Sequence, residues 1–345
     1  EKVQELIDAL PATDKLTTMT KDEQNAVYAD LQAAYEAYQA LTEDEQALLT
    51  GTEVFESLFH FFNGMVNLLA TANGVSYLDE NGDEQTANSV TEVESSTIAW
   101  STGWYVVKGD VTIGSRVTVS GEVHLILADG ASLTVNGGIN VAEGNSFSVY
   151  AQSVGENMGT LTATGKLSAA GIGGEYLASG GTITIHGGTV KATGGGNAAG
   201  IGSGKDSRSG GTITIHGGSV TATGGQDAAG IGGGNNGSGG TITINGGTVK
   251  ATGGRFAAGI GGGLNGSGGT VTIHGGSVTA SGGEYAAGIG RGEDGSGGSF
   301  TTGTDGHALI VASSISDKSQ RKSWSGIIFQ GDTGEVYKDQ TLQEN

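Results

Sequence analysis

Four segments of the chain are nearly identical, and the few positions at which they differ hold most of the residues able to do chemistry. Arg255-Phe256 and Glu284-Tyr285 stand where the preceding copies carry Gly196-Asn197 and Gln226-Asp227. A second variable slot holds Lys205-Asp206, Asn235-Asn236, Leu264-Asn265 and Glu293-Asp294, with Arg291 just ahead of the last pair. If these slots fall on adjacent turns, they assemble aromatic, amide, carboxylate and guanidinium groups beside bare glycine backbone. That is chemistry suited to a sugar, with ring faces for its C–H surfaces and planar polar groups for its hydroxyls. The candidate ligand-binding residues are therefore Gln226, Asp227, Arg255, Phe256, Glu284, Tyr285 and Arg291. Neutral variation at exposed turns would write the same pattern.

Other chemistries have weaker footing. His186, His216, Asn245 and His274 recur at one repeat position and would stack at strand spacing. The three imidazoles, with Asp294, are candidate metal ligands, histidine being the commonest such side chain. Asn245 interrupts the column, and a polar ladder at a strand end explains it as well. Calcium could draw on Asp206, Asp227, Glu293 or Asp294, although no D-x-D loop of a calcium-binding repeat is present. Threonine pairs such as Thr182/Thr184 and Thr212/Thr214 suggest a flat ice-binding array, yet threonine is simply a good outward strand residue. Catalysis needs paired carboxylates or a nucleophile with its base. The repeats supply neither at a recognisable spacing, so no cofactor and no catalytic residue is expected.

The elements that must position these residues follow from self-similarity. GGTITIHGGTVKATGGGNAAGIG returns three times with minor changes, and its register isoleucines, Ile172, Ile201, Ile231, Ile260 and Ile289, are 29, 30, 29 and 29 residues apart. T-I-T-I-H and T-V-K-A-T alternate with period two and read as strands, with Ile183, Ile185, Val190 and Ala192 on one face. A unit this small cannot bury enough apolar surface to offset the ordering of its own backbone, so the units must stack. The expected architecture is mainly β: a right-handed parallel β-helix, about nine coils and roughly 45 Å long at the usual strand spacing. Residues 73–170 read as entry coils and 171–300 as glycine-rich repeats. Residues 301–345, richer in large apolar groups, read as a C-terminal cap. Asn81-Gly82 signals a hairpin ahead of the first coil.

Residues 1–72 read instead as a small helical bundle. Thr20-Lys21-Asp22-Glu23 and Thr42-Glu43-Asp44-Glu45 are capping boxes. Val27, Leu31, Tyr35 and Tyr38 share a helix face, and further helices are expected after Thr42 and from Val54 to Leu69.

Composition narrows the function classes. Among 345 residues there are 67 glycines, one proline and no cysteine, so neither disulfides nor thiolate metal sites can hold the fold. The net charge of −20 sits on the flanks. Residues 171–300 carry six acids and six bases, whereas residues 1–70 carry 13 and three. No basic stripe exists to displace counterions from nucleic acid or to favour an anionic membrane. No stretch approaches the ~18 apolar residues of a membrane span. A chain that begins at Glu1 without a leader is expected to be a piece of a longer one.

The segments Gly103-Trp104-Tyr105-Val106-Val107 and Val123-His124-Leu125-Ile126-Leu127-Ala128-Asp129-Gly130, the AAGIG repeats and Trp324-Ser325-Gly326 resemble a glycine-rich β-helix family in surface proteins of gut Firmicutes, often described as carbohydrate-binding. The N-terminal pattern Val3, Leu6, Ile7, Ala9, Leu10, Pro11, then Leu41, Thr42, Glu45 and Gln46, resembles a helical spacer module of Gram-positive surface proteins. These resemblances imply an extracellular module of a larger secreted or cell-surface adhesin, its partner a glycan or host glycoprotein. A passive stalk that presents another domain is the first alternative, and a polysaccharide lyase or glycoside hydrolase the second.

Overall fold

The computed structural model describes residues 74–302 without interruption, then 308–315 and the strands Gly326–Gln330 and Val336–Tyr337. Before residue 74 it describes 2–11, 13–16, 19–20 and isolated positions between 23 and 54. The chain divides into two compact units, 1–73 and 74–345.

In the first unit, helices span Lys2–Asp8 and Thr13–Leu16. Ile7, Leu10, Leu16, Leu31 and Ala34 form a buried cluster with Val3, Leu6 and Val27 against it. The capping box at Thr20 is formed: its N–H donates to Glu23 Oε2 at 2.7 Å, and the Glu23 N–H donates back to Thr20 Oγ1 at 3.4 Å. The capping box at Thr42, Tyr35, Tyr38 and nearly all of the expected later helices lie outside the described residues.

The second unit is a parallel β-solenoid. In a repeat coil, Thr182–Ile185 joins a 15-stranded sheet, Thr189–Thr193 joins a 10-stranded sheet, and the two-residue strand Ile201–Gly202 returns to the first. Both routes in the larger sheet branch from Val117–Leu127, which pairs with Ile139–Asn140 through its start and with Ser146–Ala151 through its end. Each coil therefore has three sides. Strand alternation fills the interior. Ile183, Ile185, Val190, Ala192 and Ile201 are buried, while Thr182, Lys191 and Thr193 face solvent. Register then makes columns, Ile183 under Ile213 and Ile242, and Val190 under Val220 and Val249.

The glycine of the short strand is obligatory. Gly202 has φ +140° and Gly232 +128°, and a Cβ at Gly232 would lie 2.2 Å from the Gly261 carbonyl of the next coil. Coils can approach this closely only where no side chain intervenes. The entry coils bury larger side chains. Trp100, Tyr105 and Phe147 fill them, with Trp100 5.6 Å from Tyr105 and 5.8 Å from Phe147 between ring centres. Arg116 staples these coils together: Nη1 donates to the Gly137 and Ala170 carbonyls at 2.8 and 2.9 Å and Nη2 to that of Gly173 at 2.9 Å, while Nε lies 3.0 Å from Glu175 Oε1.

Val75–Leu78 and Glu84–Ala87 form the expected hairpin, but its tip is a five-residue loop, 79–83, rather than a two-residue Asn-Gly turn. Asp79 organises the tip, its Oδ1 accepting the N–H groups of Asn81 and Asp83 at 2.9 and 3.0 Å. At the other end the last parallel strand, Ala308–Ala312, is followed by the antiparallel strands Gly326–Gln330 and Val336–Tyr337. They cover the edge of the smaller sheet, as a cap must. No helix among the described residues is long and apolar enough to cross a membrane.

Candidate functional site

The two variable slots do lie on adjacent turns. The loop after each short strand hydrogen-bonds to the turn one coil earlier: Asn235 N–H to Asn197 O, Leu264 N–H to Asp227 O, and Glu293 N–H to Phe256 O, at 2.9 to 3.0 Å. Repeated coil after coil, this contact welds the turns into a ridge along the solenoid axis.

Four of the seven expected binding residues come together on it. The Arg255 Nε donates to Glu284 Oε2 at 3.1 Å, and its Nη2 reaches the Tyr285 hydroxyl at 3.5 Å. The Phe256 and Tyr285 rings stack at 5.5 Å and 15°, and the Arg255 guanidinium lies 5.2 Å from one ring centre and 5.4 Å from the other. Tyr285 remains 47 % exposed. A hydrogen bond from Tyr285, then the Arg255 charge, holds the Glu284 carboxyl below the usual carboxylate range. This arrangement presents a stacked aromatic pair with a fixed cation and a fixed anion beside it. The glycines of the neighbouring turn, Gly253, Gly254, Gly282 and Gly283, leave the backbone around it bare.

The other three are placed differently. Gln226 is exposed one coil below Arg255. Asp227 brackets the two turns: its Oδ2 accepts from Asn235 Nδ2 at 3.0 Å and, with the Asn197 amide turned nitrogen-inward, from Asn197 at 2.8 Å. Arg291 turns back on its own loop, Nη1 donating to the Gly295 carbonyl at 3.0 Å.

The histidine column is only partly an outward one. His186 is sandwiched, its ring 4.4 Å from Tyr150 and 5.0 Å from His216 in nearly parallel stacks, and its side chain is 10 % exposed. Burial, then the neighbouring His216, pulls its pKa down to about 4, against the opposing pull of Glu80 and Asp79. Parallel rings project their nitrogen lone pairs in parallel, so they do not converge on one ion. Asn245 Nδ2 lies 3.4 Å from His216 Nδ1, His274 is exposed on the next coil, and Asp294 stands on the turn ridge. Of the calcium candidates, Asp206 accepts a hydrogen bond from Asn236, which in turn accepts one from Asn265. Among the described residues no three His, Cys, Asp or Glu side chains group as metal ligands.

Two features escaped the sequence reading. Tyr77, Trp104, His124, Tyr150 and His186 form one cluster of ring contacts beneath the hairpin: Trp104 stacks on His124 at 4.4 Å and Tyr150 on His186 at 4.4 Å, while Tyr77 lies tilted against Trp104 at 4.6 Å. Their irregular spacing in the entry coils gave no period to detect. The second is Arg208, which lines a polar groove and for which a signal existed, the single 30-residue interval between Ile201 and Ile231.

Five segments, 157–174, 183–205, 213–235, 242–264 and 271–290, match the family model of the beta helix repeat. No curated protein and no solved structure matches the chain. The matched segments are the stacked coils themselves, so over residues 157–290 the chain is similar to beta helix repeat proteins, in sequence and in parallel architecture alike.

Proposed function

We propose that the chain is a non-catalytic module of a bacterial secreted or cell-surface protein that binds a glycan, free or on a host glycoprotein, through the turn ridge. The solenoid is right-handed in this reading, and residues 1–72 form a helical spacer bundle of the kind found in Gram-positive gut Firmicutes. One observation carries the proposal: Phe256 and Tyr285 stack on consecutive coils with Arg255 and Glu284 fixed alongside. Exposed aromatic faces beside oriented planar polar groups are what a sugar ring needs.

The test is a glycan array probed with the full chain and with a Phe256→Ala/Tyr285→Ala variant, with and without calcium. Saturable binding that weakens about tenfold or more in the variant supports the ridge as a lectin-like face. Silence on the array from folded protein favours the stalk, whose supporting observation is the unbroken parallel ladder that runs from Ser146–Ala151 through the repeat strands to Ser299–Thr302.

A further inference from the structure

The one extra residue in the repeat region is Arg208. Gly202 pairs with Gly232 and Thr212 with Thr241, so the loop between them is one residue longer in the lower coil. Asp206 and Asn236 occupy the same left-handed position, and Ser209 bridges Ser238, which leaves Ser207-Arg208 opposite Gly237. Ser207 is buried and donates to Ser203 Oγ at 2.6 Å, so it belongs to the loop's own packing. Arg208 is the residue pushed outward.

It emerges on a groove of about 360 Å³ at the start of strands Thr182–Ile185, Thr212–Ile215 and Thr241–Ile244. The groove is lined by the glycines 180, 181 and 211, by the exposed threonines Thr182, Thr212 and Thr241, and by Glu143 and Arg208. Both charged side chains are exposed, and neither makes an ion pair or side-chain hydrogen bond among the described residues. A cavity of this volume is at the small end of ligand sites. An uncommitted guanidinium is the strongest carboxylate-recognising group a protein has, through its two-pronged donor fork. Threonine hydroxyls and a free carboxylate are the partners of ligand hydroxyls.

We propose that this groove is a binding site for a carboxylated sugar, a uronate held by Arg208 through its carboxylate and by Glu143 and the threonine hydroxyls through its ring hydroxyls. The site is separate from the Phe256/Tyr285 ridge and stands whether or not the ridge binds glycan.

The experiment is calorimetric titration of the full chain at low salt with glucuronate and galacturonate, beside glucose, galactose and acetate. At least one uronate is expected to bind at millimolar or lower concentration, more tightly than its neutral counterpart and than acetate. Arg208→Ala should weaken it roughly 10- to 100-fold, the range expected for losing a charge-assisted pair. Arg208→Lys, which keeps the charge but not the fork, should fall between. Because Arg208 is exposed, its removal leaves the coil's packing intact, and circular dichroism of each variant verifies this. No uronate binding, equal affinity for acetate, or uronate binding indifferent to Arg208→Ala would overturn the proposal.

Discussion

The buried imidazole of His186 makes a pH dependence that can be worked out in advance. Its pKa falls from an ordinary 6.5 to about 4 in the folded chain, mainly because burial between Tyr150 and His216 disfavours the cation. The unfolded chain then takes up the proton first as pH falls. The stability that His186 contributes as a neutral ring is therefore complete above pH 6.5 and is lost progressively down to about 4. From pH 7.5 to 4.5 the loss amounts to roughly 2 to 3 kcal/mol. Glu80, whose Oε2 lies 3.9 Å from Nδ1, moderates it, so Glu80→Gln should steepen the dependence. The assay is urea unfolding followed by tryptophan fluorescence for the native chain and His186→Asn, which installs the residue that Asn245 already supplies two coils on. Comparing the two removes the contribution of every carboxylate they share. The native chain should lose roughly 2 to 3 kcal/mol relative to the variant across this pH range. A stability gap that stays constant from pH 7.5 to 4.5 would refute the reasoning.

Three further outcomes are expected. Gly232→Ala should destabilise by about 3 kcal/mol or more, since its Cβ would meet the Gly261 carbonyl at 2.2 Å and its φ is +128°; thermal unfolding measures this. Arg116→Met should cost about 3 kcal/mol, because the carbonyls of Gly137, Ala170 and Gly173 lose their buried donor, and the urea midpoint should fall with the slope unchanged. Leu177→Asn should stabilise by about 1 kcal/mol. Leu177 is exposed at φ +65°, where the equivalent coils place Asn236 and Asn265, and the melting temperature should rise.

The repeat coils were legible in the sequence because period-two alternation and a constant coil length act together. Once Ile172, Ile201 and Ile231 are aligned, the neighbours of every other coil residue follow. That is why Arg255 with Glu284, and Phe256 with Tyr285, could be paired in advance. The entry coils resisted the same treatment. His186 stacks on Tyr150, 36 residues earlier, and the Arg116 guanidinium reaches carbonyls 21, 54 and 57 residues away, intervals with no common period. Side-chain commitments within a turn were equally hidden. Nothing in the spelling of Gln226-Asp227 distinguishes an exposed amide from a carboxylate already held by Asn235, because that difference depends on the path of the neighbouring loop. Most of the helical reading of residues 1–72 falls outside the described residues, although the Thr20 capping box was legible and is formed.

The register of the repeat strands has a consequence for how such a molecule can change. Thr182 to Ile185 pair residue for residue with Thr212 to Ile215, which pair in the same way with Thr241 to Ile244. The upper and lower surfaces of a repeat coil are therefore interchangeable templates. Excising residues 213–241 would present Thr212 to the strand that now follows Thr241, sealing the gap without a mismatched contact. Arg255 and Tyr285 would then move one step, about 4.8 Å, toward the entry end. Duplication would move them the same distance the other way. The protein behaves as a graduated rod, on which unequal recombination between near-identical coils resets the spacing of surface groups in fixed increments while the interior is left as it was.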